Sequence, residues 1–462
     1  MRKLALTVFV IFCCALLFGG RPAQEGPLPD RAIGGDRPLA PAPGAGDDAA
    51  SAWTAIGPYG GEIRGLARNP KYPNELYASA SAYPSQFYRS TNNSLTWTRT
   101  WICDSGINDI VTDPNNANLV YALTGYYISR SSDRGVTFPD SIPLPSSFRA
   151  YSGRMAIHPT NSKILYITGD FVTNYSTWTY CPAVAKSANG GQTWMIVKLD
   201  PAVQQGEILD IGIHPKNPNI IYLCGEYTKD GIRQARVYKS TNGGGSYKSV
   251  TKDAVFSPGG YNFPRALTMV FHPTDPNIVF IGHKGGVART TNGGGSWQNQ
   301  TSPAVSGSFG INAIAVDKSK PNTLYALCTN ITQDYRGCWK STDGGKTWTH
   351  YANGIYGYGT RLLVSGNTII AGTWAGIFKS QNAGVLWKAS HTGIKASRAD
   401  SFGVAPSLAQ TIYTEIGGYA LFKTANGGGT WTKCPDFYRC ESILGFVVHP
   451  SDPKKVFFLA GG

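Results

Sequence analysis

Charge is in short supply: Asp, Glu, Lys and Arg make up only 15% of the 462 residues. Several other signals are missing. No apolar stretch reaches the roughly 20 residues that cross a bilayer as a helix, so no transmembrane anchor is expected once a leader is removed. No Cys-x-x-Cys pair or histidine-rich cluster offers a zinc site, and neither metal nor cofactor is expected. No Ser-His-Asp order or phosphate loop marks a catalytic class. The net charge of +14 would suit a polyanion. No basic helix or recognition fold accompanies it, so nucleic acid is not an expected partner. What abounds is glycine (55) and proline (29), with 42% apolar and 12% aromatic residues. That is the composition of a turn-rich β protein.

The turns repeat. Ser341-Thr342-Asp343-Gly344-Gly345-Lys346-Thr347-Trp348 reads as a tight hairpin. Ser341 and Asp343 can bond backbone N–H groups, Gly344 and Gly345 supply positive φ, and Trp348 packs into the layer beneath. Similar octets begin at Ser90, Ser131, Ser187, Ser240, Thr290, Ser380 and Thr424, a period of about 48 residues. A basic residue precedes each one (Arg89, Arg130, Lys186, Lys239, Arg289, Lys340, Lys379, Lys423), often after an aromatic. This alternation reads as apolar in and basic out on one strand per unit, and it accounts for over half of the net charge.

Upstream of each octet lies a second marker, a turn such as Ile213–Cys224 (IHPKNPNIIYLC) that leads into a β-branched and aromatic strand. Each unit therefore reads strand, proline turn, strand, variable loop, strand, octet, strand: a four-stranded meander, or propeller blade. His158, His214, His272 and His449 recur at one position of the proline turn, one per unit. They read as turn formers, because metal ligands must converge on one ion.

The octet resembles the Asp-box (BNR) repeat of sialidases, sortilin-type receptors, xyloglucan-cleaving glucanases and a photosystem assembly factor. Asn92, Asn189, Asn242, Asn292, Asn382 and Asn426 stand where the box has Asp, keeping the turn-forming oxygen without its charge; Asp133 and Asp343 retain it. The resemblance covers residues 52–462 and implies an all-β fold. The fold it implies is a single β-propeller of four-stranded antiparallel blades, with eight complete Asp-box units plus a partial closing blade at Ser442–Gly462. Trp53-Thr54-Ala55-Ile56 could close the ring with that C-terminal pair, or the chain could stop early in a longer parent. Residues 1–20 read as a signal peptide, with Arg2 and Lys3 before the apolar run Leu4–Phe18. Residues 21–51, rich in Pro, Gly and Ala, read as a flexible linker, and 52–462 as the propeller. Export to the periplasm, the cell surface or the medium follows. Cys328 with Cys338, and Cys434 with Cys440, bracket loops and are the disulfide candidates.

In such a meander the proline turn and the octet share one face, which leaves the variable loops on the other, where binding is usually built. That face collects Tyr151, Arg154, Tyr175, Trp178, Tyr261, Arg265, Arg361 and Trp374. Aromatics interleaved with arginine suit a glycan, or an extended peptide or protein, at the cell envelope. Resemblance to sialidases implies three arginines on a carboxylate, and Arg154, Arg265 and Arg361 lie near starts of first strands. The family's Arg-Ile-Pro motif is absent, however, the nearest match being Glu62-Ile63-Arg64-Gly65. Resemblance to the xyloglucan-cleaving enzymes implies two Asp residues across a cleft between two propellers. One of these belongs in the first unit's loop, where Ala80–Phe87 carries no acid. Asp170, Asp210, Glu226, Asp334 and Glu415 also lie on the variable side, but scattered, and read as solvated. The expectation is an exported, non-catalytic binding or interaction module with no catalytic residue. Alternatives are a glycoside hydrolase, sialidase-like or xyloglucanase-like, and a protein-complex assembly factor. Oligomeric state is left open.

Overall fold

A computed structural model of the chain describes residues 59–461, except 83, 175, 177–178, 201–204, 230–231, 252–264, 301–309, 329–336, 396–400, 417–419 and 435–441. The expected leader and linker, Trp53–Ile56, Tyr175, Trp178, Tyr261, Asp334 and Cys440 lie outside the described residues. Within them there is no α-helix. The described residues fold into eight consecutive four-stranded antiparallel meanders in chain order, the third with the short strand Phe148–Arg149 added beside its second strand, followed by the strand pair Ser442–Gly461. This is the all-β architecture of four-stranded blades that the repeat predicts. The second strand of each unit explains why the sheets stack. Val279–His283 and Leu324–Cys328 are buried at every residue, as continuous apolar runs covered on both faces must be.

The innermost strands are Glu62–Arg68, Asp109–Thr112, Met155–His158, Gln205–Ile213, Ala266–Phe271, Ile311–Val316 and Gly359–Ser365. Each packs against the next, and the seventh packs against the first, so seven units make a ring around a central channel. Among the described residues the ring closes between the first and seventh units; the pairing of Trp53–Ile56 with the C-terminal strands, one of the two expected endings, falls outside them. Ile63, Leu66 and Ala78 of blade 1 share a core with Ile370, Ile377 and Ile394 of blade 7. The Thr360 hydroxyl donates to the Ile63 carbonyl at 2.6 Å, and Gly60 forms a parallel bridge with Lys395. The eighth sheet (Phe402–Lys433) instead packs on the strand pair Ser442–Gly461 around Ala405, Tyr413, Val448 and Val456. It meets the ring at Tyr356, whose ring lies 6.3 Å from Phe422 and 4.4 Å from the Lys433 ammonium.

All eight octet turns hang by one backbone bond from the first turn of their own unit, a proline turn in every unit but the seventh, where Ser365-Gly366-Asn367 takes its place. Asn93 donates to Asn74, Arg134 to Asn118, Gly190 to Lys163 and Gly243 to Asn219, and the remaining four follow suit at Gly293, Gly344, Ala383 and Gly427. The two turns therefore share a face in every unit. Inside the octet, the first hydroxyl accepts from the fifth N–H, as Ser341 does from Gly345 at 2.9 Å. The third side chain accepts from the seventh N–H, as Asp343 does from Thr347 at 2.9 Å. Asn and Asp interchange because the seventh hydroxyl reverses its role. Thr347 donates to Asp343 at 2.7 Å, whereas Ser296 accepts from the Asn292 amide at 2.9 Å. In the proline turn, His214 Nδ1 accepts the Asn217 N–H at 2.9 Å, just as Asp113 accepts the Asn116 N–H at 3.2 Å. The recurrent histidines are turn acceptors.

The basic residues before the octets do not simply point to solvent. Lys186 donates to Gly243 O at 2.7 Å and Lys239 to Gly293 O at 2.8 Å, each bridging to the octet of the next blade. Their ammonium groups also lie 5.6 Å and 5.4 Å from the Tyr166 and Tyr222 rings. These two lysines thus serve blade–blade contact, whereas Arg89 and Arg130 pair with Glu75 and Asp140 of their own units.

Candidate functional site

In blades 1, 4, 5, 6 and 7 the inner strand slips register near its start, skipping Arg64, Leu209, Leu267, Asn312 and Thr360 respectively. A bulge leaves one residue unpaired and re-aims its side chain. The last four of these line the central channel. Gly225 makes room for the bulge of blade 4, since a Cβ there would collide with the Glu207 carbonyl.

The channel mouth is a cavity of about 360 Å³ lined by Arg154, Arg265, Arg361, Lys284, Asn312 and Thr360 among others. The structure thereby brings together three of the arginines expected from sequence, although they come from blades 3, 5 and 7. None of the three is a bare cation. Arg361 spans from blade 7 to Asp109 of blade 2 at 3.2 Å. Arg154 donates to Asn108 O at 3.1 Å; burial, and then the nearby Arg361 charge, lower its pKa to about 10. Arg265 pairs with Glu207 at 2.7 Å and with Glu226 at 2.8 Å.

Asp170, Asp210, Glu226 and Glu415 are not the solvated groups that their loop positions predict, since all four are held in buried surroundings. Asp210 accepts from Met269 N at 2.9 Å and from the Thr268 hydroxyl at 3.1 Å, tying blade 4 to blade 5. Asp109 ties blade 2 to blade 3 in the same way, accepting from Met155 N at 3.1 Å. Glu226 is 7% exposed. Its pKa is raised by burial, against the pull of Arg265 and Arg233. Asp170 lies where the long second strand of blade 3 (Asn161–Asn174) runs beyond its blade. Burial, and then the negative charge of Glu207, raise its pKa to about 7. Glu207 and Glu226 converge on Arg265, which lines the mouth, and Asp170 is near enough to Glu207 to feel its charge. Sequence reasoning missed Glu207 and Asp109. A signal was present, since both stand at the start of an inner strand, the position from which Arg154, Arg265 and Arg361 were picked.

Two aromatic pairs stand on the variable loops, in the connections before first strands and between second and third strands. Tyr151, 54% exposed, packs edge-on against Tyr126 at 5.4 Å, with the Arg149 guanidinium 5.2 Å from the Tyr126 ring. Trp374, 40% exposed, packs edge-on against Tyr358 at 4.8 Å. Both aromatics expected at the surface are at the surface. Cys338 is a buried free thiol rather than half of a bridge to Cys328; it sits opposite Leu327, one position out of register. Cys434 is likewise buried and free. Among the described residues no cluster of His, Cys, Asp or Glu is arranged to hold a metal.

Fold and channel mouth define the class: a β-propeller with an acid- and arginine-lined channel opening on its variable face. No family model matches the chain. It is 28% identical over 358 residues to a xyloglucanase of Hypocrea jecorina, covering 65% of this chain and 40% of that protein. It is 26% identical over 355 residues to xyloglucanase Xgh74A of Acetivibrio thermocellus, covering 63% and 38%. The chain thus spans about two fifths of the length of the curated relatives it matches. Among solved structures it resembles a GH74 xyloglucanase from Xanthomonas campestris, with a TM-score of 0.57 at 17% identity over 86% of this chain and 71% of that one. A GH74 enzyme of Niastella koreensis matches with a TM-score of 0.56 at 17% identity, over 87% and 70%. These structural likenesses place the fold among propellers. The relatives in sequence are named as enzymes, and this overturns the expectation of a non-catalytic binding module.

Proposed function

We propose that this chain is the propeller part of a glycoside hydrolase acting on a β-glucan of the xyloglucan kind, with the sugar chain lying across the channel mouth. The carboxyl cluster carries the reading. Glycoside hydrolysis needs one carboxyl protonated at working pH and another ionised. With its pKa raised to about 7, Asp170 is suited to donate a proton to the leaving oxygen. Glu207, paired with Arg265 and open to solvent, is suited to the ionised role. Tyr126 with Tyr151, and Tyr358 with Trp374, offer edges and faces for sugar rings. The octets are read as Asp boxes serving the scaffold, and the protein as exported. The eighth sheet and the pair Ser442–Gly461 are read as belonging to a second ring that supplies the other wall of the cleft. Because Ala80–Phe87 lacks an acid, the chemistry is assigned to the mouth and not to that loop.

The test is reducing-sugar release from xyloglucan by the full chain, beside Asp170→Asn and Glu207→Gln. Each variant is expected to lower kcat about 10²–10⁴-fold. Absence of turnover by the unaltered chain, or full activity in both variants, overturns the proposal.

A further inference from the structure

The octet face is monotonous except at the junction of blades 1 and 2, where a cavity of about 370 Å³ opens beside Tyr72, Glu75, Arg89, Thr91 and Arg134. Three of these residues break the repeat. Tyr72 is an aromatic at a position that holds Asn217, Asp275, Lys320 or Leu408 in other units, and Glu75 an acid at one that holds Ile220, Ile278, Thr323 or Thr411. Arg134 occupies the fourth octet position at φ 62°, where five units place glycine (Gly190, Gly243, Gly293, Gly344, Gly427) and two others place the smaller Asn93 and Ala383. A bulky residue held in the left-handed region costs of order 1 kcal/mol or more, and such strain gathers at ligand sites. The fold does not ask for Arg134, because glycine serves the same turn elsewhere.

The chemistry of the cavity is specific. Glu75, 4% exposed, accepts from Arg89 Nε at 2.7 Å and from the Asn69 amide at 3.1 Å. Arg134 stands off at 4.0 Å from Glu75 and 5.0 Å from the Tyr72 ring, and the Lys71 ammonium lies 5.9 Å from the same ring. Three cations against one carboxylate leave the pocket positive, with an arginine fork at its rim matched to a planar oxyanion. Tyr72, 41% exposed, adds apolar surface. A carboxylate fixed on a sugar ring fits this better than one on a flexible side chain, since ring carbons can lie on Tyr72 and less freedom is lost.

We infer that this cavity is a second saccharide site, separate from the channel mouth, which takes a uronic-acid residue with its carboxylate on Arg134. The site does not depend on the hydrolase reading.

The test is calorimetric titration of the full chain with tetragalacturonate, cellotetraose and a pentaglutamate peptide, beside Arg134→Gly and Tyr72→Asn. Both variants restore residues that other units use, and Arg134→Gly also relieves the positive φ, so the fold is kept. Tetragalacturonate is expected to bind, each variant to weaken it tenfold or more, and xyloglucan turnover to stay as in the unaltered chain. No binding of tetragalacturonate, undiminished binding in both variants, or equally tight binding of the peptide at the same site overturns the inference. Absence of xyloglucan turnover by the unaltered chain, with its uronate binding intact, would count against the hydrolase alone.

Discussion

Lys379 and Asn93 lie 286 residues apart, yet the lysine ammonium donates to the asparagine carbonyl across 2.8 Å. It is the same bond that Lys186 and Lys239 make to the octets of their next blades, here made from the last blade of the ring to the first. Burial, and then the charge of Arg68, lower the Lys379 pKa, so the ammonium gives up hydration to make this contact.

Replacing Lys379 by Met should therefore loosen closure. A hydrogen bond to a charged group contributes about 1.5–3 kcal/mol, and loss in that range is expected in urea unfolding. Amide exchange should quicken first in Glu62–Arg68, because that strand is held to blade 7. The Lys423→Met change, in the eighth unit outside the ring, should leave that strand's exchange unaltered.

Asn292→Asp and Asp343→Asn should each change thermal stability by less than about 0.5 kcal/mol, since the seventh hydroxyl of the octet can donate or accept. Asn292→Ala removes the acceptor from the Ser296 N–H (2.8 Å) and should cost about 1 kcal/mol. Equal losses in the Asp and Ala variants of Asn292, read from melting curves, would refute the role reversal.

The closing aromatics of the octets are not equivalent. Trp387 is 2% exposed and donates to Gly384 O at 2.8 Å, whereas Trp348 is only half-buried at the edge of its cluster. Trp387→Ala should cost about 3–5 kcal/mol and Trp348→Ala clearly less. Trp374→Ala should leave the melting temperature nearly unchanged while weakening retention of xyloglucan oligosaccharides in affinity electrophoresis.

Acid should destabilise the ring through His283, which is fully buried. Burial lowers its pKa to about 4, against the opposing pull of bonds to Lys284 O and Asn299. An unfolded histidine takes up its proton near 6.5, so below that pH the unfolded state binds more protons than the native one. Stability is complete above about 6.5 and falls as pH drops to about 4, by on the order of 3 kcal/mol. Urea midpoints measured across that window should slope less in His283→Gln.

Hydrolysis should follow the Asp170 proton. The general acid works while protonated, and burial with the Glu207 charge raises its pKa to about 7. Activity should decline as pH rises through about 7. In Glu207→Gln that limb should move to lower pH, since the charge that helps hold the proton on Asp170 is gone; a limb that stays put would remove Asp170 from the role.

The octets and proline turns, read along the chain, determined the blade: its four strands, their order, the shared face of its two turns and the turn-forming duty of His214. These are local matters, settled by hydroxyl, amide and glycine chemistry within a few residues. Arg154, Arg265 and Arg361 could be picked because they recur at strand starts, and their convergence follows once strands are wrapped round an axis. Where the ring closes was not legible, because every unit offers the next much the same face. It was decided by Ile377 and Ile394 meeting Ile63 and Leu66 across the seam. Nor could the sequence distinguish a solvated Asp170 from one whose pKa burial raises. That difference comes from the burial that neighbouring blades impose and from a Glu207 that only the ring brings near.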